Sequence, residues 1–267
     1  MVYKLMAVDI DGTLLNNKDQ LTEGTKLAIK HAVEKGLIFT IASGRPIQGV
    51  EYLIEMLDLD LPFITYNGAM VVMGKSKEIL YEQKLSAKDV KDILLLGEKY
   101  GLTVMAWKDN GLYATEINER VEQYKKISKV EPVLITDVDA FSKDGCTKML
   151  WYDEVEKIRE LQNEIGPMLS DNVNFHTSRP YFLEFVDKKA SKAIAMDRLG
   201  AHFGVQQGEM IAVGDGLNDL SMIEYAGLGV AMANAEEPVK EKADYITLSN
   251  DEDGVAHVIT KFVLTDN

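Results

Sequence analysis

The amino-acid sequence predicts an α/β protein: a doubly wound, parallel-sheet core into which a separate α+β domain is inserted. Three observations carry that expectation. Over the first third of the chain, short apolar runs alternate with amphipathic helical stretches, the pattern of parallel strands joined by crossover helices. The middle of the chain is denser in strands and contains a hairpin signal. From Ser191 onward the simple alternation returns. The economical reading assigns residues 1–83 and 188–267 to the core and residues 84–187 to the insertion, which is long enough for a domain of its own.

Each element has a local reason. Leu5-Met6-Ala7-Val8 is a short apolar run and reads as a buried strand. Residues 22–35 place Leu27, Ala28, Ile29, Ala32 and Val33 at helical spacing, with Thr22 able to cap the start and Gly36 past the end. Residues 37–42 form the next strand. Ser43-Gly44-Arg45-Pro46 follows, and Pro46 opens a helix to Leu57, because the first helical position loses no hydrogen bond to proline. A strand at residues 61–66 ends at Asn67-Gly68. In the insertion, residues 86–100 read as a helix, and residues 103–107 and 112–114 as a hairpin about Asp109-Asn110-Gly111. Strands at 133–135, 147–152, 172–176 and 181–186 alternate with helices at 117–127 and 153–165. A helix then runs to Phe203, and strands ending at Val213, at 228–231 and at 245–247 complete the core with helices between and after them.

Composition narrows the function classes. The chain has 267 residues, 46% hydrophobic and 27% charged, which is ordinary globular composition. Its formal net charge is −14, from 43 Asp and Glu against 29 Lys and Arg, so its surface repels nucleic-acid phosphates and carries no basic stripe to override that. No apolar stretch approaches a membrane span and the start reads as a core strand, so neither membrane insertion nor a signal peptide is expected. Cys146 is the lone cysteine, read as a small buried hydrophobe in a strand, and the expected location is cytoplasmic.

Two loops carry the chemistry. Asp9-Ile10-Asp11-Gly12-Thr13 follows the first strand, and on extended backbone Asp9 and Asp11 would point to one side. Gly214-Asp215-Gly216-Leu217-Asn218-Asp219 follows Met210-Ile211-Ala212-Val213 in the same manner. Both therefore stand at carboxyl ends of strands, where open α/β sheets bind ligands. Oxygen-only ligands of this kind suit a hard cation such as Mg²⁺. Ser43 offers a hydroxyl and Gly44 a backbone N–H at an expected helix start, a favourable place for an anion, and Lys192 stands in the first turn of a later helix. His31, His202 and His257 fall within predicted core helices and are read as structural.

Together these four segments resemble the haloacid dehalogenase-like (HAD) superfamily of phosphohydrolases, most closely its Cof-type branch, subfamily IIB, which includes sugar-phosphate phosphatases. The resemblance covers essentially the whole chain and implies a Rossmann-like HAD core, with the insertion as a cap domain that sets substrate specificity and hinges at the two chain crossings. It implies a phosphatase acting on small phosphorylated metabolites, with Asp9 as the nucleophile that forms an aspartyl-phosphate and Asp11 as general acid and base. Mg²⁺ would be held by Asp9, the Asp11 backbone carbonyl and Asp215, with Asp219 as ligand or support. Ser43, Gly44 and Lys192 would bind the phosphate, Asn218 would orient phosphate or Lys192, and Arg45 could reach the substrate. Gly12 would permit close backbone approach, and Thr13 would bond within its loop. The family's lysine is usually followed by glycine, whereas here Ala193 follows Lys192, and Lys188 and Lys189 are close by. His176, Arg179 and Tyr181 are candidates to face the substrate from the cap. The alternatives are a phosphotransferase or phosphomutase on hexose phosphates, and a non-catalytic phospholigand-binding protein. The expected partner is a small phosphorylated metabolite, with no nucleic acid or membrane, for a monomer or homodimer.

Overall fold

Four consecutive apolar residues are accommodated where both faces of a strand are covered, and β1 (Leu5–Val8) is wholly buried in the interior of a sheet. In the computed structural model, which describes residues 2–265, β1 is followed by α1 (Glu23–Glu34), capped by the Thr22 side chain accepting from the Thr25 N–H. Next come β2 (Ile38–Ala42), α2 (Glu51–Leu57), β3 (Pro62–Thr65), β4 (Met70–Met73) and β5 (Ile79–Glu82). The middle of the chain forms α3 (Ala87–Lys99), β6 (Thr103–Lys108), β7 (Gly111–Ala114), α4 (Glu119–Ser128), β8 (Pro132–Leu134), α5 (Val138–Ser142), β9 (Lys148–Tyr152), α6 (Val155–Glu164), β10 (Val173–Arg179) and β11 (Phe182–Asp187). Then follow α7 (Lys192–Phe203), β12 (Met210–Gly214), α8 (Leu220–Tyr225), β13 (Leu228–Ala231), α9 (Glu237–Lys240), β14 (Tyr245–Ile246) and α10 (Gly254–Phe262).

The chain divides into two compact units, Met1–Tyr81 with Ser191–Asn267, and Glu82–Ala190. The second crossing falls three residues later than the sequence reading placed it. The Ala190 N–H closes a turn on the Asp187 carbonyl, and Ser191 caps α7, so the segment before Ser191 stays with β11.

In the first unit an eight-stranded sheet has the order β14-β13-β12-β1-β2-β3-β4-β5. Strand β1 lies between β12 and β2, parallel to both, with Val8 level with Val213 and Ile41. The chain winds from β1 through β2 to β3 on one side and from β12 through β13 to β14 on the other. The strand order therefore reverses beside β1, and the carboxyl ends of β12, β1 and β2 form the crevice that such a reversal leaves. The sheet is not wholly parallel, as the alternation had suggested. Strand β4 runs antiparallel to β3, because the three-residue turn Tyr66–Gly68 is far too short for a crossover. The helix expected from Pro46 to Leu57 is also broken: Ile47–Gly49 is a 3₁₀ turn, and Val50 at φ −125° separates it from α2 beside the poor helix former Gly49.

The second unit is built on a six-stranded sheet of order β10-β11-β9-β6-β7-β8, antiparallel except between β7 and β8. Asp109 and Asn110 take φ of 51° and 59°, the left-handed pair that a tight hairpin turn requires. Its core joins Ile93 of α3 and Ile158 of α6 to Val104, Trp151, Leu183 and Phe185 of the sheet, with the Trp151 and Phe185 rings 4.6 Å apart and edge to face. The helix α5 was not foreseen. Cys146 is buried but lies ahead of β9, bridged to Leu85 rather than within a strand, and burial pushes its thiol pKa up. No described helix is long and apolar enough to cross a membrane.

Trp151 is wholly buried at the centre of that second core. Trp151→Ala is expected to lower its stability by about 3–5 kcal/mol, seen as a reduced urea midpoint with the far-ultraviolet spectrum retained in the absence of denaturant.

Candidate active site

Strand β1 ends at Val8, and the next residue, Asp9, carries its carboxylate into the crevice while remaining only 7% exposed. Lys192, the first residue of α7, meets it there. Its Nζ lies 2.5 Å from Asp9 Oδ1 and 2.6 Å from Asp219 Oδ1, and its side chain is wholly buried. Ser191 delivers the lysine by capping α7, its hydroxyl accepting from the Ile194 N–H at 3.1 Å. Asp219 faces Lys192 with one oxygen and holds its own loop with the other: Oδ2 accepts from the Asp215 and Gly216 N–H groups at 3.1 and 3.0 Å.

The loops after β1 and β12 are locked together. Thr13 donates its hydroxyl to Asp215 Oδ1 at 2.7 Å, a bond between loops rather than within one. Gly12 has φ +81°, and a Cβ there would stand 2.3 Å from Asp215 Oδ2, so only glycine permits this approach. Asn234 adds a clamp that sequence reasoning missed, donating Nδ2–H to the Gly12 carbonyl at 2.8 Å. Its position shortly after β13 is a signal only once the sheet order is known.

After β2, Ser43 is buried, and its Oγ accepts from the Arg45 N–H at 3.1 Å, leaving the hydroxyl hydrogen free to donate. The anion-binding helix start expected at Gly44 is absent, since the chain continues as an irregular loop into the 3₁₀ turn. Arg45 Nη2 lies 2.6 Å from Asp11 Oδ1. The backbone is not extended between Asp9 and Asp11: the chain leaves the strand at Asp9 and folds back, with the Leu14 N–H on the Asp9 carbonyl. Asp9 is buried against Lys192 while the Asp11 side chain is 55% exposed against Arg45.

Of the other candidates, Asn218 is exposed and does not touch Lys192, whose described partners are the two carboxylates. Lys188 and Lys189 are exposed, so it is Lys192 that enters the cluster. In the second unit His176 Nε2 is 3.9 Å from Glu184 Oε2, Arg179 Nη1 is 3.2 Å from the Tyr181 hydroxyl, and the Tyr181 ring packs on Tyr152 at 5.3 Å.

Asp9, Asp215 and Asp219 bring carboxylate oxygens within 4.8 Å of one another. Burial pushes Asp9 up to about 7, against the pull of Lys192 and with Asp219 adding to the rise. Burial likewise raises Asp215 to about 6, against the Thr13 hydrogen bond. Burial works against the Lys192 charge, but Asp9 and Asp219 outweigh it and its pKa is raised. One ammonium thus faces a cluster of three carboxylates, two of which hold protons more tightly than usual. An all-oxygen cluster short of positive charge fits a hard divalent cation such as Mg²⁺, and Asp9 and Asp215 retain oxygens free of Lys192 and Thr13 to bind one.

The sequence profile of the haloacid dehalogenase-like hydrolases matches residues 6–259. The 5-amino-6-(5-phospho-D-ribitylamino)uracil phosphatase YcsE of Bacillus subtilis is 33% identical over 262 residues, covering 98% of this chain and 96% of its own. A haloacid dehalogenase-like hydrolase from Bacteroides thetaiotaomicron superimposes with a TM-score of 0.85 at 34% identity, over 97% of this chain and 99% of its own. BT4131, described as a HAD subclass IIB sugar phosphatase, superimposes with a TM-score of 0.78 at 28% identity, over 98% of this chain and all (100%) of its own.

The raised Asp9 pKa has a measurable sign. A carboxyl whose folded pKa lies above its ordinary 3.8 stabilises the fold while protonated, and that contribution fades as pH rises towards about 7. In chelator, wild type is therefore expected to lose stability relative to Asp9→Asn between those pH values, by on the order of a few kcal/mol, in paired urea titrations. A difference that grew in favour of wild type with rising pH would contradict this account of the cluster.

Proposed function

The chain belongs to the haloacid dehalogenase-like hydrolases, and we propose that it is a Mg²⁺-dependent phosphatase that hydrolyses small sugar or sugar-alcohol phosphomonoesters through an aspartyl-phosphate. The observation that carries this reading is the buried Asp9 carboxylate, held on one oxygen by Lys192 and set at the carboxyl end of β1 beside Ser43 and Asp215. Lys192 fixes the Asp9 carboxylate, one oxygen of which attacks the phosphorus while the other would hold the cation. As the Asp9–phosphorus bond forms, the ester oxygen departs and takes a proton from Asp11. Water then attacks the phosphorus and gives a proton to the Asp11 carboxylate, the Asp9–phosphorus bond breaks, and inorganic phosphate leaves. Arg45, at 2.6 Å from Asp11, orients that carboxyl between the two proton transfers.

The phosphoryl oxygens are bound by the Ser43 hydroxyl, the Gly44 N–H and the Lys192 hydrogen that its carboxylate partners leave over. Asp9, Asp215 and the Asp11 carbonyl would hold Mg²⁺, with Asp219 supporting the loop. The ion would offset the charge that a carboxylate meets on approaching a phosphate dianion. The substrate class follows the relatives, one acting on a phosphorylated ribityl compound and one described as a sugar phosphatase. Substrate choice is assigned to the inserted unit, as the cap domain of this subfamily.

Phosphate release is expected from a panel of sugar and sugar-alcohol phosphates with Mg²⁺, and none in chelator. Asp9→Asn should reduce release to background, and Asp11→Asn should lower kcat by about 10²–10⁴-fold. Full activity of Asp9→Asn, or equal release in chelator, would sink the reading. Isomerised sugar phosphate in place of free phosphate would make the protein a mutase instead.

A further inference from the structure

The mechanism above asks Asp11 to meet the leaving oxygen and then the attacking water. Its side chain is 55% exposed, so packing does little to fix its place. Arg45 holds the tip of its carboxylate. The backbone beneath needs a hold of its own, because the next residue is Gly12, at φ +81°, and glycine restricts its own torsions least of all residues.

Two asparagines from distant loops grip this backbone. Asn234, after β13, donates Nδ2–H to the Gly12 carbonyl at 2.8 Å. Asn250, after β14, is buried and donates Nδ2–H to the Leu15 carbonyl at 2.9 Å. The two are joined to each other, since the Asn250 N–H donates to Asn234 Oδ1 at 3.0 Å. That bond takes up the oxygen of the Asn234 carboxamide and turns its nitrogen to Gly12. Beside Asn250, Asp251 accepts from the Asn17 N–H at 2.9 Å and from Asn17 Nδ2 at 2.6 Å, which ties the same segment down a third time. Gly12 is only half-buried, so water could satisfy its carbonyl. A side chain brought from 222 positions away does more than satisfy it: it sets the direction of that peptide.

We propose that Asn234 is a positioning residue for Asp11: braced by Asn250 and acting through the Gly12 carbonyl, it fixes the backbone from which the Asp11 carboxyl reaches the ester oxygen. The proposal rests on the phosphatase reading, in which Asp11 is the acid and base. Arg45 then sets the direction of the carboxylate and Asn234 its origin. Both are needed, since a misplacement of about 1 Å can cost 10²-fold in rate. The described hydrogen bonds of Asn234 go to Gly12 and Asn250, and to none of the groups assigned to the phosphoryl oxygens. Its effect therefore falls on proton transfer and not on phosphate binding.

The test measures kcat/KM of wild type, Asn234→Ala and Asn234→Asp on two esters with Mg²⁺. One is the sugar phosphate of the panel above that wild type hydrolyses fastest, whose alkoxide must be protonated as it leaves. The other is p-nitrophenyl phosphate, whose phenolate leaves without a proton. Asn234→Asp keeps the shape and the bond from the Asn250 N–H but cannot donate to Gly12. Both variants should lose about 10- to 100-fold on the sugar phosphate and no more than about threefold on p-nitrophenyl phosphate. The inhibition constant of inorganic phosphate should be unchanged in Asn234→Ala. Asn234 is exposed, so both variants should fold and melt within about 5 °C of wild type. Equal losses on the two esters would mark a general loosening of the site, and wild-type rates on the sugar phosphate in either variant would show that the Gly12 bond positions nothing; each overturns the proposal. Activity retained in Asp9→Asn would instead overturn the phosphatase reading, whatever the Asn234 variants do.

Discussion

One buried ammonium organises the first unit. Lys192 Nζ sits between Asp9 and Asp219 with its side chain wholly out of water, joining residues 183 and 27 positions away in the chain. Removing an ammonium from water is expensive, and its place in the first turn of α7 sets it against the positive end of the helix dipole as well. A single carboxylate would leave that cost poorly offset. With two, the lysine is held in its charged form and pins the end of β1, the loop after β12 and the start of α7 in one place.

The same arrangement leaves the site poised rather than neutral. Three carboxylates share one lysine, so Asp9 and Asp215 hold protons more tightly than isolated carboxylates do. Further positive charge would favour the ionised form of both carboxylates. The unit thus stores an electrostatic deficit at the carboxyl end of its sheet, where the reversal of strand order opens a crevice and leaves room for ligands. Backbone donors limit the deficit: Asp219 is satisfied on its second oxygen by two N–H groups of its own loop, which holds that loop closed.

Much of the site was legible because its residues are local in sequence. Asp9 and Asp215 stand directly after apolar runs, and strand ends in a parallel sheet share one edge, so their convergence follows from the alternation alone. Lys192 was assigned to the site only through the family resemblance, since a lone lysine at a helix start reads as a surface charge. What could not be read were relations set by the path of the backbone after each strand ends. Asp11 was placed beside Asp9 on the assumption of extended geometry, whereas the chain folds back at Asp9 and the Asp11 carboxylate pairs with Arg45. Asn218 was expected to orient phosphate or Lys192; its side chain is exposed, and the described partners of Lys192 are Asp9 and Asp219. Asn67 was seen only as a turn residue, since nothing in a linear reading shows that its carboxamide fills the space a side chain at position 44 would need.

The sequence by itself determined the fold class, the presence of the insertion and the carboxylates at the strand ends, because hydrophobic period and strand-end position are local properties, while the lysine was named only through the family resemblance. The tertiary structure alone decided which two carboxylates share the lysine, which threonine and asparagine lock the loops, that β4 reverses direction, and that Asn67 faces Gly44. These depend on distances between segments far apart in the chain and on backbone turns of two or three residues, where steric fit, not residue type, selects the outcome.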